Sequence, residues 1–123
     1  MRVVIQRVSR AEVRIAGDVV GQIQRGFCVL VGIEDADNAE DADWLAAKIA
    51  KLRVFNDAEG KMNADLAEVD GRLLVVSQFT LHAKTKKGTR PSFIRAAKPE
   101  HAVPLYEHFV QDCKRETGTP VAT

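Results

Sequence analysis

The apolar run Leu73, Leu74, Val75, Val76 is followed at once by Ser77, Gln78 and Thr80, with Phe79 and Leu81 alternating among them. Four consecutive strand-forming residues read as a buried strand, and the alternation carries its period of two beyond the break. A buried strand thus ends in hydroxyls and an amide. Over the next dozen residues come Lys84, Lys86, Lys87 and Arg90 with no acidic residue among them, and Pro91 restricts Arg90 to extended or turn conformations. A cationic loop beside a polar strand end suits a substrate with a phosphodiester tail and a reacting group small enough to enter a cleft.

The rest of the chain must supply the scaffold. At 123 residues it is read as one domain, spanning 1–123, long enough to bury a core. A chain that is 46% hydrophobic and 28% charged is ordinary for a soluble globular protein, which argues against disorder and against a membrane location. The run Val3–Ile5 is too short for a signal-peptide core or a spanning helix, so a cytoplasmic location is expected. Cys28 and Cys113 are expected as free, buried thiols. No CxxC or Cys/His cluster has metal spacing, and His101 and His108, seven apart, are too distant along a helix to share an ion by themselves. No metal or cofactor is expected, and the histidines read as surface or packing residues.

Strands are expected at Val3–Val8, Glu12–Ile15, Val19–Ile23 and Gly26–Ile33, the last a nearly continuous apolar run placed at the centre of a sheet. Ala16, Gly17 and Asp18 join the second and third as a hairpin, with Gly and Asp tolerating the positive φ of a tight turn. Asp37 and Glu40 resemble a capping box opening a helix from about Asn38 to Leu52, with Ala42, Leu45, Ile49 and Leu52 on its apolar face. Asn56 to Asn63 reads as a turn-rich loop. A second helix begins at Pro99 and Glu100 and stops at Gly118 and Pro120, with Pro104 acceptable in the first turn. The two helices can cover one face of the sheet, which makes the fold class α/β.

Charge is unevenly spread. Glu34, Asp35, Asp37, Glu40, Asp41 and Asp43 crowd one stretch, where helix capping and the helix dipole account for them. Lys84, Lys86, Lys87, Arg90, Arg95 and Lys98 crowd another. The basic group suits the phosphates of a nucleic acid, although a charge run is also what any solvated surface carries. Lys86, Lys87, Gly88 and Thr89 do not make a Walker A loop, because the Gly-Lys order is wrong.

Ser77 and Thr80 are candidate nucleophiles, but a hydroxyl needs a base within reach, and no G-x-S-x-G elbow or His/Asp pattern accompanies them. His82 would share a face with Thr80 only if the strand continued. The competing reading is that these hydroxyls satisfy backbone groups at a strand end. A third reading is hydrolysis by a positioned water, with backbone N–H groups of 77–80 stabilising the oxyanion.

SQFTL, the basic loop and RPSF resemble the signature of the D-aminoacyl-tRNA deacylases, first described as D-tyrosyl-tRNA(Tyr) deacylases. VIQRVSRA, GFCVLVGI, FNDAEGKMN and AAKPEHAVPLYEHF are similar to that family in order and spacing. The resemblance implies a three-layer β/β/α sandwich, a homodimer with its active site near the subunit interface, and a D-aminoacyl-tRNA substrate. The implied reaction is hydrolysis of the aminoacyl ester, with glycine mischarged on tRNA as a second candidate substrate and the substrate's own ribose hydroxyl assisting. It places catalysis at Ser77, Gln78, Phe79 and Thr80, and substrate binding at Gln6, Arg7, Lys84, Lys86, Lys87, Arg90, Pro91, Ser92 and Phe93. The family's Asn-x-Gly-Pro-Val-Thr segment, whose cis Gly-Pro pair reaches into the opposing subunit to reject L-amino acids, is not in this chain, which looks truncated by comparison. The alternative function is a nucleic-acid-binding relative without hydrolytic activity.

Overall fold

In the computed structural model, which describes residues 1–82 and 88–123, the chain opens with β1 (Arg2–Val8), β2 (Ala11–Ile15), β3 (Asp18–Ile23) and β4 (Gly26–Gly32). Helix α1 (Ala39–Lys51) follows, then the short strands β5 (Phe55–Asn56) and β6 (Met62–Ala64), and β7 (Arg72–Ser77). A 3-10 helix (Phe79–His82), helix α2 (Pro99–Thr117) and β8 (Val121–Ala122) complete it. One sheet has the order β1-β4-β7-β8. β1 runs antiparallel to β4, whereas β7 and β8 are each parallel to the strand before them in the sheet. Parallel neighbours need a crossover, and α1 and α2 lie in those two connections.

Alternation along β4 divides its side chains between two layers. Phe27, Val29 and Val31 join Leu73 and Val75 of β7 in a core with Ala42, Ala46, Ile49, Phe109 and Cys113 from the helices. Phe27 also stacks on Phe55, with ring centroids 4.9 Å apart. The opposite face carries Leu74, and a Cβ on Gly21 of β3 would stand 3.4 Å from its Cδ1, so the β2–β3 hairpin packs there. Hairpin, sheet and helix pair thus form the β, β and α layers implied by the resemblance. Tyr106 of α2 donates its hydroxyl to the Val75 carbonyl at 2.9 Å, pinning helix to sheet where β8 has already ended.

Five local expectations need correction. The capping box at α1 is Asn38 with Asp41, each side chain accepting from the other's backbone N–H. Asp37, one residue earlier, is instead buried, pairs with the terminal ammonium of Met1, and accepts the Glu34 N–H at 2.7 Å. In the β2–β3 turn the positive φ falls on Ala16 (52°) and Gly17 (85°), because Asp18 already belongs to β3. Within the expected loop 56–63, β5 and β6 pair antiparallel around a turn in which the Asp57 carboxylate accepts N–H bonds from Glu59 and Lys61. Those bonds, the one from Lys61 foremost, hold the Asp57 carboxyl below its ordinary range. Pro104 lies inside α2 and beyond its first turn; it is exposed, so the carbonyl four residues back that it cannot serve is able to turn to water. β8, two residues long, is too short to leave a periodic signal in sequence. The end of α2 follows expectation, since Gly118 caps it in the left-handed region at φ 66°.

Candidate active site

The site grows from the end of the β4–β7 ladder. Val31 stands opposite Ser77 in the parallel register, and the Gln78 N–H donates to the Val31 carbonyl at 2.7 Å. β4 stops one residue later at Gly32, so the β7 chain has no further ladder to join. It closes on itself instead: Leu81 N–H bonds to the Gln78 carbonyl at 3.3 Å, opening the 3-10 helix. The alternation of Phe79 and Leu81 is therefore not a continued strand, although the strand does end at Ser77 as its polarity suggests. The turn gathers Gln78 and Thr80, whose side chains are joined by a hydrogen bond from Gln78 Nε2 to Thr80 Oγ1. Phe79 is turned outward and 58% exposed.

What holds the turn in place is packing beneath it. A Cβ at Gly32 would meet Leu81 Cβ and His82 Cδ2 at 2.9 Å, so the turn sits directly on a bare backbone. Arg2 donates from Nη1 to the Leu81 carbonyl on the outer side. His82 is 4% exposed and its Nδ1 lies 3.0 Å from Glu34 Oε1, but in no hydrogen-bonding alignment among the described residues. Glu34 in turn pairs with Arg95 Nε at 3.3 Å.

The segment after the basic loop returns to the same place. Ala97 N–H bonds to the Ile33 carbonyl at 2.8 Å, and Glu34 bridges Ala96. Phe93 then meets Phe79 edge-on, with ring centroids 5.1 Å apart and planes at 71°. Arg90, Pro91 and Ser92 are exposed beside it. Lys84, Lys86 and Lys87 lie outside the described residues.

Gln6 and Arg7 are not brought to this end. They pair with Cys28 and Phe27, whereas Val3 pairs with Val31 next to Ser77, so Arg7 is four residues away along β1, about 13 Å. Arg7 instead donates to the Val54 carbonyl at 2.6 Å and lines a hollow of about 440 Å³ with Arg25, Phe55 and Asn56. The arginine that does reach the turn is Arg2, which sequence reasoning passed over because nothing in its neighbours distinguishes it.

Among the described residues no imidazole or carboxylate is hydrogen-bonded to the hydroxyl of Ser77 or Thr80. The observed partner of Thr80 is an amide. An amide cannot act as a general base near neutral pH, so the described residues do not form the paired nucleophile and base of a covalent hydrolase. What it offers is a polar turn whose first N–H groups, on Phe79 and Thr80, find no acceptor within the short helix itself. No described helix is long and apolar enough to cross a membrane.

An α/β chain with a hairpin and a helix pair on opposite faces of a mixed sheet, and a polar turn at a strand end, defines a class that comparison makes specific. A sequence profile described as D-Tyr-tRNA(Tyr) deacylase matches residues 4–123. A D-aminoacyl-tRNA deacylase of Flavobacterium johnsoniae is 56% identical over 123 residues, covering 100% of this chain and 82% of the relative. The solved structure of a c-Myc DNA unwinding element binding protein superposes with a TM-score of 0.88 at 37% identity, over 94% of this chain and 77% of that one. A probable eukaryotic D-amino acid tRNA deacylase, at 21% identity, TM-score 0.78 and coverage of 95% and 68%, shares the fold. The chain belongs to the D-Tyr-tRNA(Tyr) deacylase family.

Proposed function

We propose that the chain hydrolyses the ester joining a D-amino acid to the terminal ribose of tRNA, at the turn formed by Ser77, Gln78, Phe79 and Thr80. The observation that carries this reading is the contact of Phe79 with Phe93, which sets Arg90–Phe93, the end of a lysine-rich loop, against the polar turn. The exposed Arg90 and Ser92 and the ester-binding turn then share one edge. The relatives' names supply the substrate class.

Water attacks the ester carbonyl carbon, its proton leaves to the released ribose oxygen, and the tetrahedral oxyanion is stabilised by N–H groups of the turn. Gln78 and Thr80 orient the substrate and Phe79 forms a wall. The resemblance adds the substrate's ribose hydroxyl as the assisting group, consistent with the lack, among the described residues, of an imidazole or carboxylate bonded to the Ser77 or Thr80 hydroxyl. Arg90, Pro91, Ser92 and Phe93, with Lys84, Lys86 and Lys87, bind the acceptor end, the chain acts as a cytoplasmic homodimer, and the resemblance adds Gln6 and Arg7 as substrate contacts.

The test is deacylation of D-tyrosyl-tRNA and L-tyrosyl-tRNA by this chain, with Thr80→Ala in parallel. Turnover of the D ester that persists in chelator, with no covalent intermediate trapped, is expected. Equal turnover of both esters would leave hydrolysis standing and remove chiral selection by this chain. Binding of tRNA without turnover would replace the reading with that of a non-catalytic nucleic-acid binder.

A further inference from the structure

Asp43 of α1 and His108 and Asp112 of α2 converge where the two helices pack, and their ligand atoms all lie within 4.8 Å of one another. His108 and Asp112 are four residues apart and so share a helix face, while Asp43 reaches across from its neighbour. His108 Nε2 is 2.8 Å from Asp43 Oδ1 and 3.2 Å from Asp112 Oδ2. A single ring nitrogen carries at most one proton, and at the shorter distance that proton goes to Asp43. Asp112 is 1% exposed and its Oδ2 is left without a hydrogen bond, aimed at the same point. Its other oxygen, Oδ1, is held by Arg115 Nη1 at 2.9 Å, which fixes the direction of the first.

A buried carboxylate oxygen without a partner is costly unless something else satisfies it. We propose that Asp43, His108 and Asp112 form a binding site for a divalent first-row metal ion, Zn²⁺ being the representative, which ties α1 to α2. One imidazole and two carboxylates are a borderline donor set of the kind such ions accept. Zn–N and Zn–O bonds of about 2.0–2.2 Å at a tetrahedral centre place ligand atoms about 3.3 Å apart. The observed 2.8 and 3.2 Å are close to that, so only a small opening of the Asp43 contact is needed. Asp43 and His108 are both exposed, so an ion can reach the cluster from solvent and water can complete its coordination.

The cluster belongs to the helical layer, and its test is separable from that of ester hydrolysis. Zn²⁺ is titrated into the chelator-stripped chain at neutral pH by calorimetry, and the melting temperature is followed with and without the ion. Saturable binding of one ion per chain is expected, with a rise in melting temperature. Loss of a supporting partner of a metal ligand already weakens affinity by about 10–100-fold, so loss of a ligand itself in His108→Ala should cost at least that. Asp112→Asn, which preserves shape and guards against unfolding as the cause, should do the same and abolish the thermal shift. Cys28→Ser and His101→Ala should leave binding unchanged. Co²⁺ in place of Zn²⁺ should show ligand-field bands without thiolate charge transfer. Absence of binding, binding that survives both His108→Ala and Asp112→Asn, or binding lost in Cys28→Ser would each overturn the proposal.

Discussion

Replacement of Gly32 by alanine tests whether the position of the 3-10 turn governs activity. The added Cβ would stand 2.9 Å from Leu81 Cβ and His82 Cδ2 and 3.1 Å from His82 Nε2. Ordinary carbon contacts are about 3.5–4.0 Å, so the shortfall is roughly 0.6–1.1 Å. Leu81 Cβ is attached to the backbone and cannot swing away as a side-chain tip would, so the turn itself must lift. Overpacking of this kind costs about 1–3 kcal/mol. In a chain of this size that is a fall in melting temperature of roughly 4 °C per kcal/mol. A displacement approaching 1 Å at a catalytic group costs on the order of a hundredfold in rate. Gly32→Ala is therefore expected to fold, to melt lower, and to deacylate D-tyrosyl-tRNA about 10–100-fold more slowly. Gly60→Ala serves as the comparison: it too is strained, at φ 79°, but its Cβ meets open space, so stability should drop while turnover is retained. A folded Gly32→Ala variant with wild-type turnover would refute the claim that packing on Gly32 places the catalytic groups.

Three further outcomes rest on local features. Ala16 sits at φ 52° in the β2–β3 turn, so Ala16→Asn, giving the favoured Asn-Gly pair with Gly17, should stabilise by about 1 kcal/mol in denaturant melts. Tyr106→Phe leaves the Val75 carbonyl without its hydroxyl donor and should destabilise by about 1–2 kcal/mol, with the fold retained by circular dichroism. Burial, reinforced by Asp112 and Glu116, pushes the Cys113 thiol from 9.0 to about 12. The unfolded chain therefore loses this proton first, so the contribution of Cys113 to stability is intact below pH 9.0 and declines as pH rises toward 12. Cys113→Ala should show a shallower loss of stability with pH across that window, and a slope identical to wild type would remove the thiol as its source.

The sequence by itself determined the elements and much of the family likeness. Continuous apolar runs at Gly26–Ile33 and Leu73–Val76 dictated buried strands, because only both-face burial tolerates such composition, and they became β4 and β7. Helix α1 was readable from its 3.6-residue period, but the capping residue was displaced by one, since Asp37 and Asn38 are equally good caps and the choice rests on which is claimed by Met1 and Glu34. Only the tertiary structure decided the path of the chain beyond Ser77. Local alternation favours a strand there, yet a strand needs a neighbour, and β4 ends at Gly32. The same limit explains the other surprises. Arg2 reaches Leu81 across 79 positions, Phe79 meets Phe93 through a long loop, and Asp43 meets His108 across 65. Periodicity and spacing report forces between residues a few positions apart, whereas these contacts arise when parallel strands and their crossover helices carry distant segments to one edge.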